Sequence, residues 1–184
     1  AMTVSGFTYR RNIYGPMLGH SVKIPPCFCY RCDWGLTYGR CDLECAYALR
    51  KAIRQEGPEN VLAFIVEPVV GAALGAVPAV PEYFPIICQI CDEFDILFIA
   101  DEVMTGFGRT GKNFGVNHWN VIPDIIATAK GISGGYTPLA AVIVRDKIMD
   151  LLRSKRSNFR GGHTYCANPL SARVGIEVLN IIKE

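Results

Sequence analysis

The chain has no long run of one charge and no long apolar run. Its net charge is only +2, with the two signs nearly balanced. No basic stripe is therefore present to hold a nucleic-acid backbone or an anionic membrane surface. No apolar stretch approaches the ~18 residues that a transmembrane helix needs. The first residues also lack the apolar h-region of a secretory leader. Neither nucleic acid nor a membrane is expected as a partner, and a cytoplasmic location is the default expectation. Internal repeats and low-complexity tracts are missing too, which sets aside repeat architectures and disordered arrays.

What is present is ordinary for a soluble α/β protein. Half of the 184 residues are hydrophobic and a fifth are charged. That length predicts one domain, able to bury roughly 70% of its unfolded surface. Pro16, Pro25 and Pro26, with Gly15, Gly19, Gly35 and Gly39, punctuate residues 1–40 too often for long helices. From there an α/β core is expected over 41–184.

Asp42 reads as the N-cap of a helix running to about Gln55, stopped by Gly57-Pro58. A strand over 61–66 follows, then a loop of small residues over 71–81. Pro81 opens a helix to about Phe94, with Pro85 near its first turn and carboxylates at Asp92, Glu93 and Asp95. Further strands are predicted over 96–101, 124–129 and 140–144, with a short helix over 146–153. Asn168-Pro169 is an N-cap and N1 pair that opens a last helix towards Lys183.

Eight cysteines are present, and five of them (Cys27, Cys29, Cys32, Cys41 and Cys45) crowd into one segment. Cys29-x-x-Cys32 followed by Cys41-x3-Cys45 has the spacing of a zinc site, and a structural metal would suit a segment rich in proline and glycine. Compartment favours reduced, partly buried thiols, with no metal, over zinc or disulfides. A zinc-binding module built on Cys27–Cys45 stays as an alternative.

Two polar residues close successive apolar runs. Ile96 to Ala100 leads to Asp101, and Ile125 to Ala129 leads to Lys130. Each run is β-prone and nearly continuous, the pattern of a strand buried on both faces. The residues between them suffice for the crossover that two parallel strands require. Ligands of open α/β sheets bind at the carboxyl ends of the strands. An amine and a carboxylate delivered there suit pyridoxal 5'-phosphate (PLP), whose aldehyde takes a lysine Schiff base and whose ring nitrogen takes an acidic partner.

The segments Asp101-Glu102-Val103-Met104-Thr105-Gly106-Phe107-Gly108-Arg109-Thr110-Gly111 and Pro123-Asp124-Ile125 through Lys130-Gly131 resemble the signature of class III PLP-dependent aminotransferases, enzymes of fold type I. Glu67-Pro68-Val69-Val70-Gly71 and Gly161-Gly162-His163-Thr164-Tyr165 fall at the family's other markers in the right order. The resemblance covers about Pro25 to the end. It implies an α/β fold with a mostly parallel sheet, helices on both faces and an antiparallel last strand. This would be the central part of the large PLP-binding domain.

The resemblance makes Lys130 the Schiff-base lysine and Asp101 the partner of the pyridine nitrogen. Val103 would pack on the ring, and Glu67 would stand near the pocket. Thr164 would reach the cofactor phosphate of the neighbouring subunit in a homodimer with shared active sites. The reaction implied is transfer of an amino group from an amine or ω-amino acid to a 2-oxo acid. Ala72 stands where many members carry a glutamate, and Met104 where some carry glutamine. Both departures fit an amine or ω-amino-acid:pyruvate pocket better than an ornithine or γ-aminobutyrate pocket. Related cysteine-bearing segments occur in the family without being known as metal ligands.

Gly106 to Asn113 also satisfies the glycine and lysine spacing of a P-loop. Asn113 stands where a serine or threonine should bind magnesium, and no helical pattern follows, so nucleotide binding is not expected. The family's own-subunit phosphate turn, its ring-stacking aromatic and its C-terminal small domain find no match within the 184 residues. The chain alone is therefore expected to bind PLP weakly or not at all and to show no measurable activity. A non-catalytic remnant acting as a binding or assembly partner is the rival reading.

Overall fold

The computed structural model describes residues 2–157 and 161–183. The chain divides into two compact units. One holds the residues up to Ile65 together with Val69–Ile96, and the other holds Val66–Pro68 and Leu97 onward.

The first unit begins with a single helical turn, α1 (Thr8–Arg11), and short 3-10 turns at Asn12–Met17 and Cys29–Arg31. The rest of the first forty residues is irregular, as the prolines and glycines require. Helix α2 (Glu44–Glu56) buries Ala46, Leu49 and Ile53, an apolar stripe at helical spacing. It packs on α3 (Tyr83–Glu93), which buries Tyr83, Phe84, Ile87, Ile90 and Cys91. Each large aliphatic or aromatic side chain buried there contributes about 1.5–3 kcal/mol. On the solvent side Arg50 forks onto Glu93, with Nε and Nη2 at 2.9 and 2.7 Å from Oε2. A part-exposed pair of this kind adds less than about 1 kcal/mol.

Two local expectations need correction. Asp42 does not cap α2, because the chain enters the helix through Leu43 in the left-handed region (φ 58°), with no side-chain cap bond. The left-handed residue turns the chain sharply, so Asp42 lies one residue short of the cap. The small-residue loop is not structureless either. After β1 (Ala63–Val66), β2 (Val69–Val70) pairs antiparallel with β3 (Val77–Pro78). Between them the Gly71 carbonyl accepts the N–H of Gly75 at 2.7 Å. Helix α2 stops as expected, at Gly57 (φ 85°) ahead of Pro58. Pro85 is tolerated in the first turn of α3, where its missing N–H would have had no helical partner.

The second unit contains β4 (Leu97–Asp101), β5 (Ile125–Thr128) and β6 (Ala141–Val144). Strand β4 runs parallel to β5, with Asp101 opposite Ala127. Strand β6 runs antiparallel to β5, the orientation that the family resemblance implied. Burial along β4 alternates rather than covering both faces equally: Phe98 and Ala100 are buried, while Leu97, Ile99 and Asp101 are half-buried.

The starts of β4 and β5 are clamped together. Asp124 Oδ2 accepts the Phe98 N–H at 2.9 Å, and the Phe98 carbonyl accepts the Asp124 N–H at 2.8 Å. The same carboxylate faces Lys147 Nζ at 2.5 Å, from the first turn of α4 (Asp146–Ser154). Helix α5 (Pro169–Lys183) is capped as expected: Asn168 Oδ1 accepts the Ser171 N–H at 3.1 Å. The α/β class expected from the sequence holds.

Candidate active site

Because β4 and β5 are parallel, both leave the sheet on the same edge, β4 at Asp101 and β5 just before Lys130. Asp101 Oδ1 accepts the Val103 N–H at 3.1 Å, which folds the chain into a turn at the end of β4 and fixes the carboxylate. Among the described residues nothing else bonds to it, so Oδ2 is open.

Lys130 starts a 3-10 turn, Lys130–Ser133, with its own φ at 47°. A left-handed lysine is strained, and such residues persist only where the surroundings hold them. Here Ile132 and Ser133 are buried, and Ser133 Oγ donates to the Thr137 carbonyl at 2.6 Å. Beneath the turn lies α5, where a Cβ on Gly175 would stand 2.6 Å from Leu139 Cδ2 and 3.5 Å from the Ile132 carbonyl. The backbone of the turn is thus braced while the Lys130 side chain is exposed. Its Nζ has no partner among the described residues.

Glycines bring a second loop against this turn. A Cβ on Gly131 would meet the Gly106 carbonyl at 3.2 Å. The loop holding Gly106 is organised by Glu102, a residue that the sequence reading did not single out. Its carboxylate is fully buried. Oε2 accepts the N–H of Gly115 and Oε1 that of Val116, each at 2.8 Å, and the Thr105 hydroxyl also donates to Oε2. A buried carboxylate endures only when its lone pairs are satisfied in this way. The one available signal was a second acidic residue directly after Asp101, ahead of a glycine-rich loop.

The structure thus brings Asp101, Val103 and Lys130 to one sheet edge. Val103 is half-buried in the turn after Asp101, with Met104 exposed beside it. Glu67 is half-buried just past β1, and Ala72 lies in the turn between β2 and β3. Thr164 is exposed in the turn before α5. Among the described residues no hydrogen bond joins Thr164 to Asp101 or Lys130.

Gly106 to Asn113 does not cradle a phosphate at a helix start, because only a 3-10 turn, Gly115–Trp119, follows it. All eight cysteines are free thiols. Among the described residues no three histidine, cysteine or acidic side chains are placed to hold a metal ion. No described helix is long and apolar enough to cross a membrane.

The chain is similar to known aminotransferases. The family model "Aminotransferase class-III" matches residues 2–184. A chloroplastic gamma aminobutyrate transaminase 3 from Solanum lycopersicum is 45% identical over 74% of this chain and 26% of its own length. A putrescine–pyruvate aminotransferase from Pseudomonas aeruginosa is 44% identical over 76% of this chain and 30% of its own. A transaminase structure from directed evolution by ancestral reconstruction superposes with a TM-score of 0.90 at 36% identity, over 99% of this chain and 40% of that one. The chain belongs to the class III aminotransferases. Pyridoxal phosphate is the cofactor of that family. The chain spans between 26% and 41% of the length of the curated relatives it matches.

Proposed function

We propose that this chain supplies the lysine and carboxylate of a PLP-dependent aminotransferase that moves an amino group from an amine or ω-amino acid to a 2-oxo acid. One observation carries the reading. An unpaired amine, Lys130 Nζ, and an open carboxylate oxygen, Asp101 Oδ2, leave the same edge of two adjacent parallel strands. The donor set fits the cofactor, since a free amine can hold an aldehyde carbon and a carboxylate can hold a protonated ring nitrogen. Of the glycines that follow Lys130, Gly131 and Gly134 are closely packed and Gly135 faces open space. A Cβ added at Gly135 would meet nothing within 4 Å.

When bound, PLP supplies an electron sink for the charge that develops at the substrate Cα. The chain's own residues do the rest. Lys130 Nζ would be the general base and acid, taking the proton from the substrate Cα and returning it at the cofactor's C4′. Asp101, fixed by the Val103 N–H, would keep the proton on the ring nitrogen by its negative charge. Val103 would pack against the ring, and Glu67 would support the pocket wall. Thr164 would donate its hydroxyl to the cofactor phosphate of the second subunit in a homodimer, which is consistent with its exposed position.

The donor remains a class rather than a compound. Relatives of nearly equal identity are named for γ-aminobutyrate and for putrescine with pyruvate, so both amines belong in the first assay. The test is amino transfer to pyruvate by the intact protein, with Lys130→Ala alongside. We expect formation of alanine from at least one of the two donors and none with the variant. Equal activity in the variant would remove Lys130 from the chemistry.

A further inference from the structure

The five clustered cysteines take no part in the amino-transfer site, and the first unit gathers them around one small cavity. Cys27, Cys29, Cys32, Cys41 and Cys45 all line it, with Trp34 closing part of the wall. Its volume of about 20 Å³ admits a molecule the size of water or hydrogen peroxide. Cys27 is only 7% exposed, whereas Cys29 is exposed and Cys32, Cys41 and Cys45 are intermediate.

Within the cluster one sulfur is the focus of the hydrogen bonds. The thiols of Cys45 and Cys29 and the backbone N–H of Val80 all donate to Cys27 Sγ. Cys45 belongs to the first turn of α2, so its sulfur is offered from a rigid element, while Cys27 lies in irregular chain that can adjust.

We propose that Cys27 is a peroxide-reactive nucleophile and Cys45 its resolving thiol, so that the cavity accepts a hydroperoxide and closes to a Cys27–Cys45 disulfide. In the first step the Cys27 sulfur attacks one peroxide oxygen. An S–O bond forms, the O–O bond breaks, and hydroxide leaves from hydrogen peroxide, or alkoxide from an organic hydroperoxide. Cys27 is now a sulfenic acid. In the second step the Cys45 sulfur attacks Cys27 Sγ, the S–S bond forms, and the S–O bond breaks with loss of water that carries the Cys45 proton. The peroxide is reduced by two electrons and the two thiols are oxidised by two.

Nucleophilic thiols are those held as thiolate. The three donors to Cys27 act in that direction, the Cys45 bond most strongly, and bring its pKa down to about 6 against the opposing effect of burial. The Cys27 bond, burial and the charge on Cys27 push the neighbouring Cys45 up. That leaves it protonated until it reacts. Tyr38, Glu44, Glu82 and Tyr83 are titratable groups around the cluster. Glu82 works weakly against the Cys27 thiolate, and none of these four is a cation. The thiolate therefore rests on the hydrogen bonds.

The experiment treats the intact, reduced protein with a few equivalents of hydrogen peroxide, then unfolds it in the presence of dimedone and maps the peptides without reduction. We expect a Cys27–Cys45 linked peptide in the wild type and its complete loss in Cys27→Ser. In Cys45→Ser we expect a several-fold rise in dimedone adduct on Cys27. Cys45→Ala gives the same readout if the serine variant folds poorly. Adduct or linkage appearing first at Cys166, Cys88 or Cys91 would overturn the proposal. So would a Cys27–Cys29 link, or one equivalent of zinc held by the reduced protein and lost on Cys27→Ser.

Discussion

Glu102 Oε1 accepts the backbone N–H of Val116 at 2.8 Å, across a loop of thirteen intervening residues. With the neighbouring bond from Gly115, this makes one buried carboxylate the fastener of the glycine-rich segment that rests against the Lys130 turn. Glu102→Gln keeps the shape but turns an amide N–H₂ toward backbone donors. It is expected to destabilise the protein by about 1–3 kcal/mol. Urea unfolding of the intact protein measures this, and an unchanged midpoint would mean that the loop is held by other contacts.

The same segment is closely packed where it meets Pro68. A Cβ on Gly115 would stand 2.9 Å from Thr105 Cβ and 3.0 Å from Pro68 Cβ. Neither neighbour is the free end of a flexible side chain. Gly115→Ala should therefore cost about 1–3 kcal/mol through overpacking, read as a lower thermal midpoint. Gly162→Ala, with nothing within 4 Å of its Cβ, is the control and should leave that midpoint in place.

Much of this was legible in the sequence, and for identifiable reasons. Asp101 and Lys130 stood out because each ends an apolar β-prone run, and the polar residue that stops such a run marks the sheet edge. The Asn168 cap and the Gly57 stop followed from local chemistry alone. Leu43 gave no warning, since a left-handed leucine is a consequence of the fold around it and not of its own preference. The β2–β3 pair was hidden because two residues are too few to show alternation. Glu102 looked like any surface acid, because sequence does not reveal burial when the satisfying groups are backbone N–H donors thirteen and fourteen residues away.

Cys27 provides a pH test. A thiol held down to about 6 by the Cys45 hydrogen bond loses its proton near pH 6, whereas an ordinary one does so near 8.5. Oxidation of Cys27 by hydrogen peroxide should rise through pH 6 and be level by about pH 8. Cys45→Ala, which removes that donor, should move the rise upward. A wild-type profile still climbing above pH 8 would contradict the assigned hydrogen bonding.

At the sheet edge, Asp101→Asn removes the charge while keeping the Oδ1 acceptor that holds the Val103 N–H. The fold and some cofactor binding should survive. Turnover should fall about 10²–10³-fold, the scale seen when a single preorganised electrostatic group is lost. Near-normal turnover with bound cofactor would show that the ring nitrogen finds its partner elsewhere.

The most direct test of the account is chemical capture at Lys130. The intact protein, loaded with pyridoxal phosphate, is reduced with borohydride, digested and mapped by mass spectrometry. The phosphopyridoxyl group is predicted on the peptide containing Lys130 and on no other, and Lys130→Ala should carry no label. Stoichiometric labelling of any other lysine, with Lys130 unmodified, would contradict the central claim.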